Sequence, residues 1–198
     1  MKEALNVLSS LMLIGVYVLY IKQTRDDIST PNPATWSIWL FTSIMNAFSY
    51  FSVVHENMWE MVYVGTATVL MVITFFFSFI NGKFTKLKRK EIFALISAII
   101  VFVLWKVSET IDVVMANILM QIVFVISFHI TAERINDGTA KEKYPPWLLA
   151  VGAYIVAIIS LTIDFDGNWT KLVYPTVNGV GGNGYIAILS IIKKPRIQ

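Results

Sequence analysis

Seven long apolar segments, none of which contains Asp, Glu, Lys or Arg, constrain the fold of this 198-residue chain more than any other feature. A helix that crosses the hydrocarbon core of a bilayer needs about 20 mostly apolar residues, within a range of about 17–25. Six segments fall in that range, and the fourth is shorter. The segments are residues 4–21, 34–54, 61–80, 92–105, 113–130, 145–163 and 172–192. They predict an all-α membrane protein with seven transmembrane helices.

The composition agrees with this prediction, because hydrophobic residues make up 56% of the chain and charged residues only 15%. A soluble domain is roughly half apolar and about a quarter charged, and a core of this size could not bury the excess apolar surface. Cysteine is absent, which excludes a disulfide framework and a Cys-based metal site. The first segment is predicted to be a retained helix rather than a signal peptide, because no A-x-A site follows it.

Basic residues predict the orientation of the chain in the membrane. The connections after segments one, three and five, together with the C-terminal tail, hold 13 Lys and Arg residues, and the other connections and the N-terminus hold 3. Cytoplasmic loops carry the excess of Lys and Arg, so we expect the N-terminus outside and the C-terminus in the cytoplasm. The net charge of +3 therefore reflects topology, and we expect no binding to nucleic acid. The densest basic cluster consists of Lys83, Lys86, Lys88, Arg89 and Lys90.

The two ends of the chain contain matching landmarks in the same order. The matched pairs are residues 20–25 with 129–134, 33–36 with 145–147, and 57–63 with 167–174. Helices one to three therefore resemble helices five to seven, and helix four is a linker. Both repeats would enter the membrane in the same direction, as two parallel three-helix repeats do. The predicted units are a first repeat (1–82), a basic loop with the linker helix (83–110) and a second repeat with a basic tail (111–198).

This three-one-three plan, with Pro33 and Pro146 at the start of the second and sixth helices, resembles the SWEET, PQ-loop and PnuC transporter superfold. Trp36 and Trp39, with two residues between them, look like the W-x-x-W signature of PnuC proteins. Neither proline is followed by glutamine, so the PQ dipeptide is missing. The resemblance implies transport of a sugar, nucleoside or vitamin-like solute, with Asn178 matching the asparagine that lines the substrate site in those families.

Helix two carries a row of polar and aromatic residues on one face. The row consists of Trp36, Trp39, Ser43, Asn46 and Tyr50. The last four lie three, seven, ten and fourteen residues after Trp36, and these spacings place all five on one side of a helix. Hydrocarbon cannot satisfy Asn and Ser, so this face must meet other helices or a wet cavity. One interpretation is that the rings stack on a solute while Asn46 binds its polar edge. The alternative is an interfacial belt residue at Trp36 and a hydrogen bond between helices at Asn46.

Two other helices present candidate site residues. Asn117 and Gln121 lie one turn apart on helix five and could bind a solute or pair with neighbouring helices. Helix seven carries Asn178 beside a segment rich in Gly and Pro, which either acts as a hinge or lets helices pack closely. The predicted substrate-binding residues are Trp36, Trp39, Asn46, Tyr63, Asn117, Gln121 and Asn178. The predicted gate or hinge residues are Pro175, Gly179, Gly181 and Gly182.

The absence of charged residues deep in any segment shapes the functional prediction. Ion-driven carriers usually need ionisable groups or a built ion site within the membrane. No catalytic or metal-binding pattern is present, so we expect no enzyme, no cofactor and no metal. We predict a passive facilitator of a small uncharged or zwitterionic polar solute, embedded in the lipid bilayer; a homo-oligomer is compatible with the pattern. The alternatives are a ligand-sensing or trafficking receptor on the same superfold and a non-transporting subunit of a membrane complex.

Overall fold

Each of the seven apolar segments is helical in the computed structural model, which describes residues 1–31, 33–54, 57–81, 88–108 and 112–193. The prediction of an all-α protein is confirmed, since these residues contain no strand. The helices are α1 (Lys2–Arg25), α2 (Pro33–Val53), α3 (Met58–Asn81), α4 (Arg89–Val107), α5 (Val113–Asn136), α6 (Tyr144–Thr162), α7 (Thr170–Tyr174), a π-helical segment (Pro175–Gly182) and α8 (Asn183–Ile192). The last three follow one another without a break and together form the C-terminal helix.

Local sequence explains several helix ends. The Asp112 side chain accepts a hydrogen bond from the backbone N–H of Met115 (2.8 Å) and caps the start of α5. Pro145 and Pro146 lie in the first turn of α6, where a missing N–H costs no helical hydrogen bond. The fourth helix extends beyond its predicted apolar segment at both ends. It includes Lys106, whose ammonium lies 4.3 Å from the centre of the Trp105 ring.

Four of the described helices, α1, α3, α5 and α6, are long and apolar enough to cross a membrane. Side-chain burial agrees with a lipid environment. On α1, Leu11 and Val18 are more than half exposed, whereas Asn6 and Ser9 are buried. Large apolar side chains on the outside and polar ones inside are the reverse of a water-soluble helix bundle, and they fit a solvent of lipid tails. The chain is therefore a helical membrane protein.

Six helices close a ring around a common interior. α3 lies between α1 and α2, and the C-terminal helix lies between α5 and α6. Contacts of α1 with α6 and of α2 with α5 close the ring. α4 packs outside this ring against α5 and α2. As a result, the inner faces of six helices converge on one interior.

The ring has two ends, which we name the Lys2 end and the Arg25 end after the two ends of α1. At the Arg25 end, the connections 26–32 and 137–143 are joined: Thr30 N–H donates to the carbonyl of Lys141 (2.8 Å), and Lys141 N–H donates to Thr30 Oγ1 (2.9 Å). In the same region Arg134 Nε donates to Glu91 Oε1 (2.6 Å) and ties α5 to α4. Both side chains are buried, with exposed fractions of 3% and 0%.

The predicted basic cluster is only partly described, because Lys83 and Lys86 lie outside the described residues, as do the tail residues 194–198. Lys88 and Lys90 form exposed ion pairs with Asp137 (3.0 Å) and Glu133 (2.5 Å) near the Arg25 end. These pairs add a second link between the start of α4 and the end of α5.

Candidate functional site

A central cavity of about 60 Å³ lies inside the ring and is lined by all six of its helices. One water molecule needs about 10–15 Å³ of such space, so the cavity has room for several water-sized groups. Half of its lining side chains are aromatic: Tyr17, Tyr20, Trp36, Trp39, Phe124, Phe128, Trp147, Tyr154 and Tyr174. The polar amide and hydroxyl side chains beside them are Ser43, Asn178 and Asn183. No Asp, Glu, Lys or Arg belongs to this described lining.

The aromatic side chains nearest the Arg25 end form a group that we name the aromatic box, consisting of Tyr20, Trp36, Trp39, Phe128 and Trp147. Trp39 is its centre, with ring centres 5.3 Å from Trp36, 5.3 Å from Phe128 and 5.7 Å from Trp147. Tyr20 lies 4.9 Å from Trp36 and 5.9 Å from Trp147. The box combines residues from α1, α2, α5 and α6, so it joins both halves of the chain.

A buried carboxylate lies directly behind the aromatic box. Glu142, in the connection before α6, accepts hydrogen bonds from the Tyr20 hydroxyl (2.7 Å) and from Trp147 Nε1 (3.1 Å). Its exposed fraction is 6%, and it has no ion-pair partner in the described parts of the chain. Burial raises the pKa of this carboxyl to about 7, against the opposing effect of its two hydrogen bonds. This carboxyl therefore gains and loses its proton much closer to neutral pH than an ordinary Glu carboxyl does.

Four tyrosines lie between the cavity and the Lys2 end, and we name them the tyrosine cluster: Tyr50, Tyr63, Tyr154 and Tyr174. The hydroxyls of Tyr154 and Tyr174 are 3.0 Å apart. Tyr63 donates to the Tyr50 hydroxyl (2.6 Å), which donates to the carbonyl of Lys171 (3.0 Å). Tyr154 and Tyr174 line the cavity, whereas Tyr63 stands behind them, 6.2 and 6.4 Å away between ring centres.

Beyond the tyrosine cluster, an ion-pair network covers the Lys2 end. The buried carboxylate of Glu60 pairs with Lys2 (2.6 Å) and Lys171 (3.0 Å), and Lys171 pairs also with Asp166 (2.7 Å). The network ties α1, α3 and the C-terminal helix together. Glu60 and Lys171 each lie directly before a predicted apolar segment. That position in the sequence does not indicate that the two side chains form an ion pair.

Three of the four amide side chains predicted for the substrate site, those of Asn46, Asn117 and Gln121, lie outside the cavity lining. Asn117 Nδ2 donates to Asn46 Oδ1 (3.1 Å) and to Ser49 Oγ (3.0 Å), and Gln121 Nε2 donates to Asn46 Oδ1 (2.8 Å). These residues are buried between α2 and α5 and do not belong to the cavity lining. We name them the amide cluster. The geometry is that of hydrogen bonding between helices, which the sequence analysis gave as the alternative.

We expect Asn117→Ala to lower the free energy of unfolding by about 0.6–1.7 kcal/mol, from the average to the maximum measured for hydrogen bonds between membrane helices. The affinity for a cavity ligand should not change, because the amide cluster is outside the lining. Chemical denaturation in detergent measures the first quantity and ligand titration the second. Unchanged stability together with lost ligand binding would show that Asn117 contacts the ligand after all.

The predicted gate residues Pro175, Gly179, Gly181 and Gly182 all belong to the π-helical segment. Asn183 Nδ2 donates to the carbonyls of Asn178 and Gly179 (both 2.9 Å), which satisfies backbone groups that the wider helix leaves free. A Cβ atom at Gly179 would overlap the ring of Tyr154, and one at Gly182 would overlap the ring of Phe128. Both rings belong to the cavity wall, so glycine is required here for close packing.

No family model, curated protein or solved structure matches this chain. The case for function therefore rests on the site itself. Of the seven predicted binding residues, the cavity brings together Trp36, Trp39 and Asn178. Glu142 was not among the predicted site residues, because it stands between two lysines and resembles a solvated loop residue. The signal that could have drawn attention to it is its position just ahead of the prolines and tryptophan that begin α6.

Proposed function

We propose that the protein is a membrane transporter, a passive facilitator that moves a small uncharged or zwitterionic polar solute by alternating access. The observation that carries this proposal is the central cavity, because every helix of the ring lines it and both halves of the chain share it. A site shared between two halves can be opened to either side of the membrane by a relative movement of those halves.

The helix contacts support the two parallel repeats that this mechanism needs. In the first half, α3 lies between α1 and α2, and in the second half the C-terminal helix lies between α5 and α6. The contacts between halves, α1 with α6 and α2 with α5, exchange under a two-fold rotation that relates α1 to α5 and α2 to α6. The proposal includes seven spans, α4 as the linker, an outer N-terminus and a cytoplasmic C-terminus.

The two ends of the ring supply candidate gates of different chemistry. The tyrosine cluster and the ion pairs of Glu60 stand between the cavity and the Lys2 end. The aromatic box and Glu142 stand between the cavity and the Arg25 end. A carrier needs one barrier on each side of its site, and in this chain both barriers cross from one half to the other.

A ligand-sensing receptor is the second candidate, and Glu142 favours it. A buried charge beside the cavity is the kind of recognition group that a receptor for a charged ligand uses. The third interpretation, a packing subunit, predicts amides that join helices, and the amide cluster does so. It does not account for a cavity with an aromatic lining. Net flux of the bound solute distinguishes a transporter from both alternatives.

We expect a cavity ligand at about 100 times its dissociation constant to raise the free energy of unfolding by roughly 2.7 kcal/mol. A thermal-shift panel of sugars, nucleosides, vitamins and neutral amino acids on the detergent-solubilised protein identifies the ligand. Liposome uptake of each hit then tests transport. Asn178→Ala should weaken uptake by up to about tenfold, because one hydrogen bond contributes roughly 0.5–1.5 kcal/mol.

The matched control is Asn81→Ala, which removes an exposed asparagine that does not belong to the cavity lining. Uptake by this variant should equal that of the unaltered protein. Binding without flux would exclude the transporter and leave the receptor. A panel with neither binding nor flux would overturn the proposed function.

A further inference from the structure

We propose that the central cavity binds solutes with a positively charged nitrogen, which the aromatic box holds and the Glu142 carboxylate neutralises. The inference rests on the proposed transport function and changes its solute class: it keeps the zwitterions that carry an ammonium group and adds cations. It depends on three features of the site: the faces of the aromatic box, the unpaired charge of Glu142, and the contacts between the two.

The aromatic box is suited to an ammonium group. Aromatic ring faces attract cations within about 6 Å of the ring centre, Trp most strongly, and the attraction grows when water is excluded. Three Trp rings, one Tyr and one Phe meet here with neighbouring ring centres 4.9–5.9 Å apart. All five rings line the cavity, so a small cation inside it can contact several of them at once.

Solutes rich in hydroxyl groups fit the same lining less well. Trp39 Nε1 already donates to Ser127 Oγ (3.0 Å), and Trp147 Nε1 donates to Glu142. The Asn183 amide donates to two backbone carbonyls. A sugar would lose its hydrogen bonds to water and find few free donors here, which costs free energy for every unpaired group. The methyl groups of a quaternary ammonium need no such partners.

Glu142 carries the charge that a bound cation would neutralise. Arg134 faces it across a second, small cavity, but the buried ion pair with Glu91 already balances that guanidinium. From α1 the facing titratable group is Tyr20, and α2 and α6 contribute only uncharged side chains. The flanking residues Lys141 and Lys143 are exposed. The described surroundings therefore leave the ionised carboxylate without a counter-ion.

Hydrogen bonds connect this charge to the cavity. Tyr20 and Trp147 line the cavity, and the Tyr20 hydroxyl and Trp147 Nε1 donate hydrogen bonds to the Glu142 carboxylate behind the box. An ionised acceptor polarises both donors and increases the electron density of their rings, which strengthens the attraction for a cation at the ring faces. Glu142 is buried, so the Coulomb attraction between its carboxylate and a cation in the box is screened less than it would be in water.

The arrangement predicts a specific pH dependence. A bound cation favours ionised Glu142, and only the ionised fraction of the protein binds it well. With a carboxyl pKa of about 7, roughly a tenth of the protein is ionised at about pH 6 and nearly all at about pH 8, so the apparent affinity should be about tenfold weaker at the lower pH. A neutral solute should show no such change.

The test compares choline with its neutral carbon analogue, in which carbon replaces the quaternary nitrogen. Binding to the detergent-solubilised protein is measured by calorimetry at both pH values. We expect choline to bind at least tenfold more tightly than the analogue at the higher pH, with the analogue insensitive to pH. In Glu142→Gln, choline should lose both its advantage and its pH dependence. Asp27→Asn removes an exposed carboxylate at the same end and should leave every value unchanged.

Equal affinities for choline and the analogue, or a choline affinity independent of pH, would overturn the inference. If Glu142→Gln does not fold, the pH comparison in the unaltered protein still decides. The outcomes separate this inference from the proposed function: flux of a neutral solute without a preference for choline overturns only the inference. Choline binding with the expected pH dependence but without liposome flux overturns only the transporter.

Discussion

Glu91→Gln is expected to lower the free energy of unfolding by about 3–5 kcal/mol, because it leaves the buried guanidinium of Arg134 without a counter-charge. The substitution keeps the size of the side chain and an oxygen that can accept from the Lys88 N–H, so it isolates the loss of charge. Chemical denaturation in detergent, followed by the circular dichroism of the helices, measures the change.

The double variant Glu91→Leu with Arg134→Met completes this prediction. Replacing both members of a buried pair with apolar side chains is often neutral or stabilising, because the cost of desolvating two charges disappears. We therefore expect the double variant to be clearly more stable than Glu91→Gln. The control is Glu133→Gln at the exposed pair with Lys90, where the loss of stability should be much smaller because solvent screens the pair. Equal losses at the buried and exposed pairs would refute the argument.

Gly179→Ala and Gly182→Ala form the second large-effect prediction. A methyl group at either position overlaps an aromatic ring of the cavity wall, Tyr154 in one case and Phe128 in the other. Forcing extra atoms into a packed interior costs typically about 1–3 kcal/mol and displaces the obstructing side chain. We expect both a loss of stability and a loss of ligand affinity, because the displaced rings belong to the cavity. Denaturation and ligand titration measure the two effects.

The C-terminal helix offers matched controls for these variants. A Cβ at Gly184 would meet only Val151 Cγ2, at 3.7 Å, and a Cβ at Gly181 would meet the Thr176 carbonyl oxygen at 3.4 Å. Gly184→Ala should be neutral or slightly stabilising, since Gly costs about 0.5–1 kcal/mol relative to Ala inside a helix. Similar losses in all four variants would show that segment flexibility, rather than close packing against the rings, explains the glycines.

The helices were predictable from the sequence because a long apolar segment without charged residues has few stable structures other than a membrane helix. The site was only partly predictable, as helix two illustrates. Trp39 and Asn46 share one face of α2, yet Trp39 lines the cavity and Asn46 bonds to α5. They are seven residues apart, about 10 Å along the axis, which is far enough to meet different neighbours. Helical periodicity gives the direction of a side chain and carries no information about what lies opposite.

Charged residues were the main omission, for a related reason. Glu60, Lys171 and Glu142 all lie at the margins of helices, where a sequence pattern indicates exposure to water or lipid head groups. Their burial comes from partners distant in the chain, such as Tyr20 for Glu142 and Lys2 for Glu60. Such pairings depend on how the helices are arranged, which the order of residues alone does not specify.

Different interactions join the two halves of the chain at the two ends of the ring. Ion pairs that include the half-exposed Asp166 join the Lys2 end, and dissolved salt weakens such attractions. At the Arg25 end, two hydrogen bonds between Thr30 and Lys141 join the two halves of the chain, and salt affects such bonds little. The carboxyl of Glu142 at this end responds to acidity. In the proposed alternating-access mechanism, ionic strength would then act on the opening of the Lys2 end and proton concentration on the opening of the Arg25 end.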